Sequence, residues 1–303
     1  MSESVKLLLI HALSPVHCGT GQSVGGIDLP IAREKPTGIP LIPGSTLKGV
    51  LRAAPSMDPG LHKAVFGPDP DYASEHAGSV QLADATLLFL PVRSARGTFA
   101  WVTSPYILRR FGRDAREAGR ADLVPPAIKP DEGKAVVTGG ALRLDDLGGK
   151  VVFEDYDLEA TVQKELERFA GALATALWGA DDSAAEERSH FVARVCVVHD
   201  DVMALFLQTC LEITTRVRLD ADKKTVVKGA LWTEEALPVE TILAGLVLAT
   251  PVKQPKPLRE GGADRHGPGE LLGYVQGLAG GGVVQLGGKA TVGRGLCRMT
   301  MVG

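Results

Sequence analysis

Hydrophobic positions along the chain alternate between two rhythms. Short apolar runs with no helical stripe predict strands at Val5 to Leu13 ("VKLLLIHAL"), "SVQLADATLLFLPVRS" and "FAWVT". Between them, "LIPGSTLKGVLRAA" predicts a turn at Pro43-Gly44, an N-cap at Ser45 or Thr46 and a short helix. That helix has Leu47, Val50 and Leu51 on one face, and Lys48 and Arg52, four apart, on another. Ser104-Pro105 opens the predicted helix "SPYILRRFGRDAREAGRADL". Residues 121–150, rich in Pro, Gly and Asp and without a sustained period, read as an excursion from the main fold. "LEATVQKELERFAGALATALWG" predicts an amphipathic helix closing on Gly179.

The back half then reads strand "FVARVCVVH", helix "DDVMALFLQTC", strands "LEITTRVRL", "TVVKGALWT" and "TILAGLVLA", helix "GELLGYVQGLA", and strands "VVQL" and "GLCRMTMV". Strands and helices with hairpins among them predict an α+β fold of ferredoxin-like type rather than a run of parallel crossovers. No period of 20 to 50 residues repeats, which excludes a solenoid.

One segment breaks both rhythms. Residues 11–38, "HALSPVHCGTGQSVGGIDLPIAREKPTG", form a long, glycine-broken loop, and loops of this length in compact domains are functional or disordered. Ile27, Leu29 and Ile31 alternate through it, so part of the loop is expected to pack down with its polar residues held outward.

Composition narrows the classes. With 303 residues, 45% of them hydrophobic, the chain can build one large domain or two smaller ones. The formal charge of −3 means that any nucleic-acid site is a local patch. Cys18, Cys196, Cys210 and Cys297 are scattered, with no Cys-x-x-Cys pair, and read as reduced thiols. The longest apolar runs fall short of the roughly 20 residues of a membrane-spanning helix. No basic n-region precedes "VKLLLIHAL", so the chain is expected to be cytoplasmic, with no membrane partner.

Five places carry candidate chemistry. In "VQLGGKATVGRGLCR", Gly287, Gly288, Gly293 and Gly295 frame Lys289 and Arg294. Glycine lets backbone N–H groups approach a phosphate, although Val283 and Ala290 stand where a P-loop needs Gly and Ser/Thr. A hairpin with an awkward turn explains the stretch equally well. In "PGSTLKG", a helix N-terminus with Ser45, Thr46 and Lys48 is a reasonable anion site, and equally any capped helix. His199, Asp200 and Asp201 in "VVHDDVMALF" invite a metal reading, but no partner ligand segment stands out, and helix capping explains the aspartates better. The arginines at 109, 110, 113, 116 and 120 give a basic helix face, read as a solvated surface. In the opening loop His17 and Asp28 form a possible base or metal-ligand pair for phosphodiester chemistry, with Arg33 and Lys35 to hold a backbone beside them. The competing reading is a surface aspartate in a turn.

Taken in order, "HALSPVHCGTG", "GGIDLPIAREKPTGIPLIPGSTLKGVLR", "VFGPD", "LLFLPVRSARGTFAWVTSP", "GALWTEEALP" and "QLGGKATVGRGL" resemble the backbone subunits of type III-B (Cmr) CRISPR effector complexes, within the RAMP superfamily, over essentially the whole chain. The resemblance implies a modified RNA-recognition-motif core of ferredoxin-like topology. It implies one domain over 1–303 with insertions at about 104–190 (lid or helical excursion), 214–238 (thumb hairpin) and 252–268 (loop). Its expected partners are guide CRISPR RNA, target RNA, further copies of itself stacked head to tail, and other Cmr subunits. Each thumb is expected to flip a nucleotide out of the guide–target duplex, with target RNA cut beside it.

The resemblance assigns cleavage to Asp28 with a divalent ion, Mg or Mn, and gives 2′,3′-cyclic phosphate ends. His17 matches the loop histidine, for RNA positioning or catalysis, and Glu234 fits the family pattern. Ala236 stands where some relatives carry an aromatic residue. Arg33, Ser45, Thr46, Lys48, Arg52 and the hairpin residues Gly287, Gly288, Lys289, Gly293, Arg294 and Gly295 are expected to track guide phosphates. Aromatic residues make up only 5% and no RNP1-like run is present, so recognition is expected to follow the RNA backbone and not its sequence. Two other functions fit the same family: a non-catalytic RNA-binding scaffold, and a guide-processing ribonuclease with His17 as general base.

Overall fold

Four antiparallel strands organise the structure: β1 (Val5–Ala12), β4 (Ala85–Arg93), β12 (Ile242–Ala249) and β14 (Leu296–Val302). They lie in the spatial order β14-β1-β12-β4. With α1 (Gly44–Ala53) following β1 and α7 (Pro268–Ala279) following β12, this is the 4-1-3-2 order of a ferredoxin-like core. The computed structural model describes residues 4–22, 26–56, 58–68, 71, 77–220, 222–250, 266–279 and 282–303. Most of the loop expected at 252–268, through residue 265, lies outside the described residues.

β1 carries an unbroken apolar run because Leu7, Leu8, Leu9 and Ile10, which point alternately to the two faces of the sheet, are all fully buried. α3 (Pro105–Glu117) and α4 (Lys164–Trp178) pack on β1, and α7 packs on β12 and β14. Short strands β2 (Leu41–Ile42) and β3 (Val80–Leu82) pair with β4 and β12. α2 (Pro59–Phe66) packs against α1 and α7. Among the described residues no helix is long and apolar enough to cross a membrane.

The stretch read as an excursion instead widens the same sheet. From β4 the order continues through β5 (Phe99–Thr103), β9 (Val195–Val198), β6 (Lys134–Val137), β8 (Tyr156–Val162) and β7 (Lys150–Phe153). Four-residue strands such as β6 are too short to show a period. The helix expected from Leu158 begins only at Lys164, because the preceding residues pair with β6 and β7. Likewise Phe191 and Val192, expected in a strand, end α5 (Ala185–Val192). α6 (Asp200–Thr209) then leads to β10 (Glu212–Leu219) and β11 (Val226–Ala236), which form a separate antiparallel ribbon.

The N-terminus of α1 also differs from expectation. Neither Ser45 nor Thr46 caps it; the Gly44 N–H donates to Asp84 Oδ1 at 2.8 Å instead. A Cβ on Gly44 would come within 2.2 Å of the Leu82 carbonyl oxygen, so the glycine is what lets α1 start against β3.

Candidate active site

The opening loop has no long strand, yet it is laced to its neighbours. Leu29 N–H donates to the Thr233 carbonyl and Glu235 N–H to the Leu29 carbonyl, both at 3.0 Å, so the loop runs parallel beside β11. Val16 exchanges two 2.9 Å bonds with Leu237. The other side of the loop meets the glycine hairpin between β13 (Val283–Gln285) and β14, where Gly288 N–H donates to the His17 carbonyl at 2.9 Å. This lacing brings His17 and Asp28 to the root of β11, next to a strand more than 200 positions away in sequence.

Asp28 is exposed, and its Oδ2 accepts from both the backbone N–H (2.8 Å) and the hydroxyl (3.0 Å) of Thr233. Its own N–H donates to Thr233 Oγ1 at 3.0 Å. The Thr233 backbone bond first, then the hydroxyl bond, hold the Asp28 carboxyl below the usual carboxylate range. Asp28 is therefore an ionised acceptor at neutral pH. Neither Thr233 bond uses Oδ1.

His17 is buried, with Nδ1 2.6 Å from the Glu235 carbonyl oxygen. A carbonyl only accepts, so Nδ1 carries the proton and Nε2 of the neutral ring is the acceptor. A Cβ on Gly19 would lie 2.7 Å from Nε2, so that glycine makes room for the ring.

Glu234, expected to be catalytic, is an anchor in this structure. Its side chain is 3% exposed, and Oε1 accepts from Lys289 Nζ and Trp232 Nε1, both at 2.8 Å, while Arg216 Nε approaches Oε2 at 3.4 Å. Burial pushes this carboxyl up, but the Lys289 and Trp232 bonds and the charges of Lys289 and Arg216 outweigh it and bring it to about 2. A carboxylate held in this way does not carry a proton near neutral pH. Beside it, buried Glu235 binds Arg33 Nη2 (2.6 Å) and the Ile31 N–H (3.0 Å), fixing the loop beyond Asp28.

Several residues expected to track phosphates have structural partners. Arg33 is engaged by Glu235 and by the Gly38 carbonyl at 2.9 Å. Arg294 is buried, and its Nη2 donates to Thr214 Oγ1 (2.9 Å) and Glu212 Oε1 (3.2 Å), tying the hairpin to β10. Gly287, at φ +79°, leaves no room for a side chain beside His17; Gly295, at φ +83°, is buried against the Leu286 carbonyl. Gly293 and Gly288 are exposed, and Lys289 is half-buried.

Ser45, Lys48 and Arg52, by contrast, line an open groove of about 520 Å³, although Arg52 also donates to the Pro68 carbonyl; Thr46 is half-buried on the same helix. A second open groove, of about 840 Å³, is lined by Lys35 together with Arg109, Arg110 and Arg113 of α3. Arg110 clamps Glu34 with two 2.7 Å bonds, which joins the basic helix face to the opening loop. The sequence alone gave no sign that these two cationic segments are neighbours.

As a metal ligand, Asp28 offers a hard oxygen, Oδ1, of the kind Mg²⁺ takes alongside phosphates and water. Its donor set fits such an ion. Among the described residues, one group of three candidate ligands is close enough to share an ion: Glu132, His199 and Asp201, within 4.8 Å of one another on the widened part of the sheet and not beside Asp28. His199 itself caps α6 by accepting from the Asp201 N–H (3.3 Å), and Asp200 Oδ1 accepts from the Tyr106 N–H at the start of α3 (2.9 Å).

The family model described as the RAMP superfamily matches residues 9–298. The chain is 33% identical over 299 residues to the CRISPR system Cmr endoribonuclease Cmr4 of Pyrococcus furiosus, covering 97% of this chain and 95% of that protein. It superposes on the crystal structure of oligomeric Cmr4 from Pyrococcus furiosus with a TM-score of 0.71 and 26% identity, over 99% and 98% of the two chains. A chain of the type III-B Cmr-beta complex bound to cognate target RNA, 21% identical, shares the fold with a TM-score of 0.68 over 98% and 96%.

Proposed function

The chain belongs to the RAMP superfamily and to the Cmr4 family within it, and from that premise we propose that it is an RNA-binding backbone subunit of a type III-B CRISPR effector that cuts target RNA with Asp28. One observation carries the catalytic part: an exposed, ionised carboxylate is fixed at the root of the separate ribbon, with one oxygen outside both Thr233 bonds. A pure scaffold has no need of a carboxylate presented to RNA.

In this reading the β10–β11 ribbon is the thumb that splays a target nucleotide, so that its 2′-hydroxyl lines up on the adjacent phosphorus. Asp28 accepts the hydroxyl proton, the new O2′–P bond forms, and the P–O5′ bond breaks with the 5′-oxygen taking a proton from water. A divalent ion bound through Asp28 would neutralise charge on the phosphate. His17, with Nε2 as acceptor, positions RNA beside it. Glu234 holds Lys289 and Arg216 at the thumb base. Ser45, Thr46, Lys48 and Arg52 on one groove, and Lys35 with Arg109 and Arg113 on the other, bind phosphates by charge, so pairing reads sequence and the protein reads the backbone.

The test is to assemble the subunit with guide RNA, partner subunits and Mg²⁺ or Mn²⁺, then map cuts in a labelled complementary RNA. Evenly spaced cuts support the proposal. Bound but uncut target indicates a scaffold, and cutting confined to guide precursor indicates the processing ribonuclease.

A further inference from the structure

We infer that Thr233 is the positioning residue that aims and holds ready the Asp28 carboxylate, an inference that rests on the cleavage reading above. Thr233 is the only residue bonded to Asp28 at both ends among the contacts of the described residues. Its hydroxyl accepts from the Asp28 N–H (3.0 Å) and donates to Asp28 Oδ2 (3.0 Å), while its backbone N–H donates to the same oxygen at 2.8 Å. The three bonds form a closed clamp, fixing the χ angles of an exposed side chain that would otherwise rotate in solvent. Both donors fall on Oδ2, which leaves Oδ1 outside the clamp.

Thr233 is itself held rigidly. It sits opposite Thr215 in the thumb ladder, and its carbonyl accepts from the Leu29 N–H at 3.0 Å, so the residue that orients Asp28 also fixes the backbone one position further on. The charged groups on the surrounding elements are occupied with one another: Glu234 with Lys289 and Arg216, and Glu235 with Arg33. His17 faces the Glu235 carbonyl. Thr233 is thus the group placed to fix the direction of the Asp28 carboxylate. The arrangement also couples the thumb to catalysis, since any tilt of β11 moves the carboxylate with it.

Thr233→Val keeps volume and β-branching and the backbone donor, but removes the hydroxyl; Thr233→Ser restores a hydroxyl. Both are tested in the complete guide-loaded complex, alongside Asp28→Ala, by single-turnover cleavage over a range of complex concentrations that separates binding of target from the cleavage step. Thr233→Val is expected to lower the cleavage rate about tenfold, as for loss of a group that orients a ligand or base. Target affinity should stay unchanged, so the loss falls on the cleavage step and not on binding. Thr233→Ser should recover most of the rate. A valine variant with the wild-type rate overturns the inference, as do valine and serine variants that fail alike. Full cleavage by Asp28→Ala would overturn the underlying reading, and is recognised separately because it requires no comparison at position 233.

Discussion

The Asp28→Ala complex is expected to bind guide and target RNA as the wild type does while losing target cleavage by about 10²–10⁴-fold, the span that a positioned acid–base group contributes. Three features support so clean a separation. Asp28 is exposed, so its removal opens no cavity. Among the described residues Thr233 is the one other residue shown bonded to its carboxylate, and the half-exposed Thr233 donors are within reach of water once the carboxylate is gone. The loop around it stays pinned by Leu29, Ile31 and Arg33, whose partners on β11 are untouched. Guide and target affinity measured beside cleavage separates loss of chemistry from loss of assembly.

Gly287→Ala should be far more damaging than Gly293→Ala in the same glycine hairpin. Gly287 adopts φ +79°, and its added Cβ would fall 2.4 Å from the His17 carbonyl oxygen and 3.0 Å from Cys18 Sγ. The first contact is with backbone, so no rotamer change relieves it. Either the hairpin withdraws, breaking the Gly288–His17 bond, or the loop shifts His17 off the Glu235 carbonyl. A loss of about 2–4 kcal/mol is expected from left-handed strain plus the collision. Gly293 supplies the control: it has the same φ of +79° but open space around it, so Gly293→Ala should lose only about 1 kcal/mol. Thermal unfolding of the two variants reads the difference, and equal losses would mean that the hairpin does not brace the loop.

Much of this architecture was legible in the sequence, and the rest hidden, for one physical reason. Strand and hairpin order, the helix at "STLKG" and the position of Asp28 in "DLPI" depend on neighbours within a few residues or on an ordered set of motifs, and these a reader of one chain can see. What decides the chemistry comes from across the fold. Thr233 and Glu235 act on residues some 200 positions upstream, and Asp84 caps a helix that begins 40 positions before it. Arg294 and Glu234 are charged, and local pattern places charge at the surface; only the ribbon folding back over the hairpin buries them, Glu234 against Lys289 and Arg294 against Thr214. Arg33, likewise, reads as a free cation until Glu235 is brought beside it.

The most direct test of the account is the chemistry of the 3′ ends left on target RNA by the assembled wild-type complex, read by mass spectrometry of the fragments. Attack by the neighbouring 2′-hydroxyl under the control of Asp28 predicts 2′,3′-cyclic phosphate ends. Fragments ending in a 3′-hydroxyl would mean that water, not the target's own ribose, attacks the phosphate, and would contradict the role given to this carboxylate.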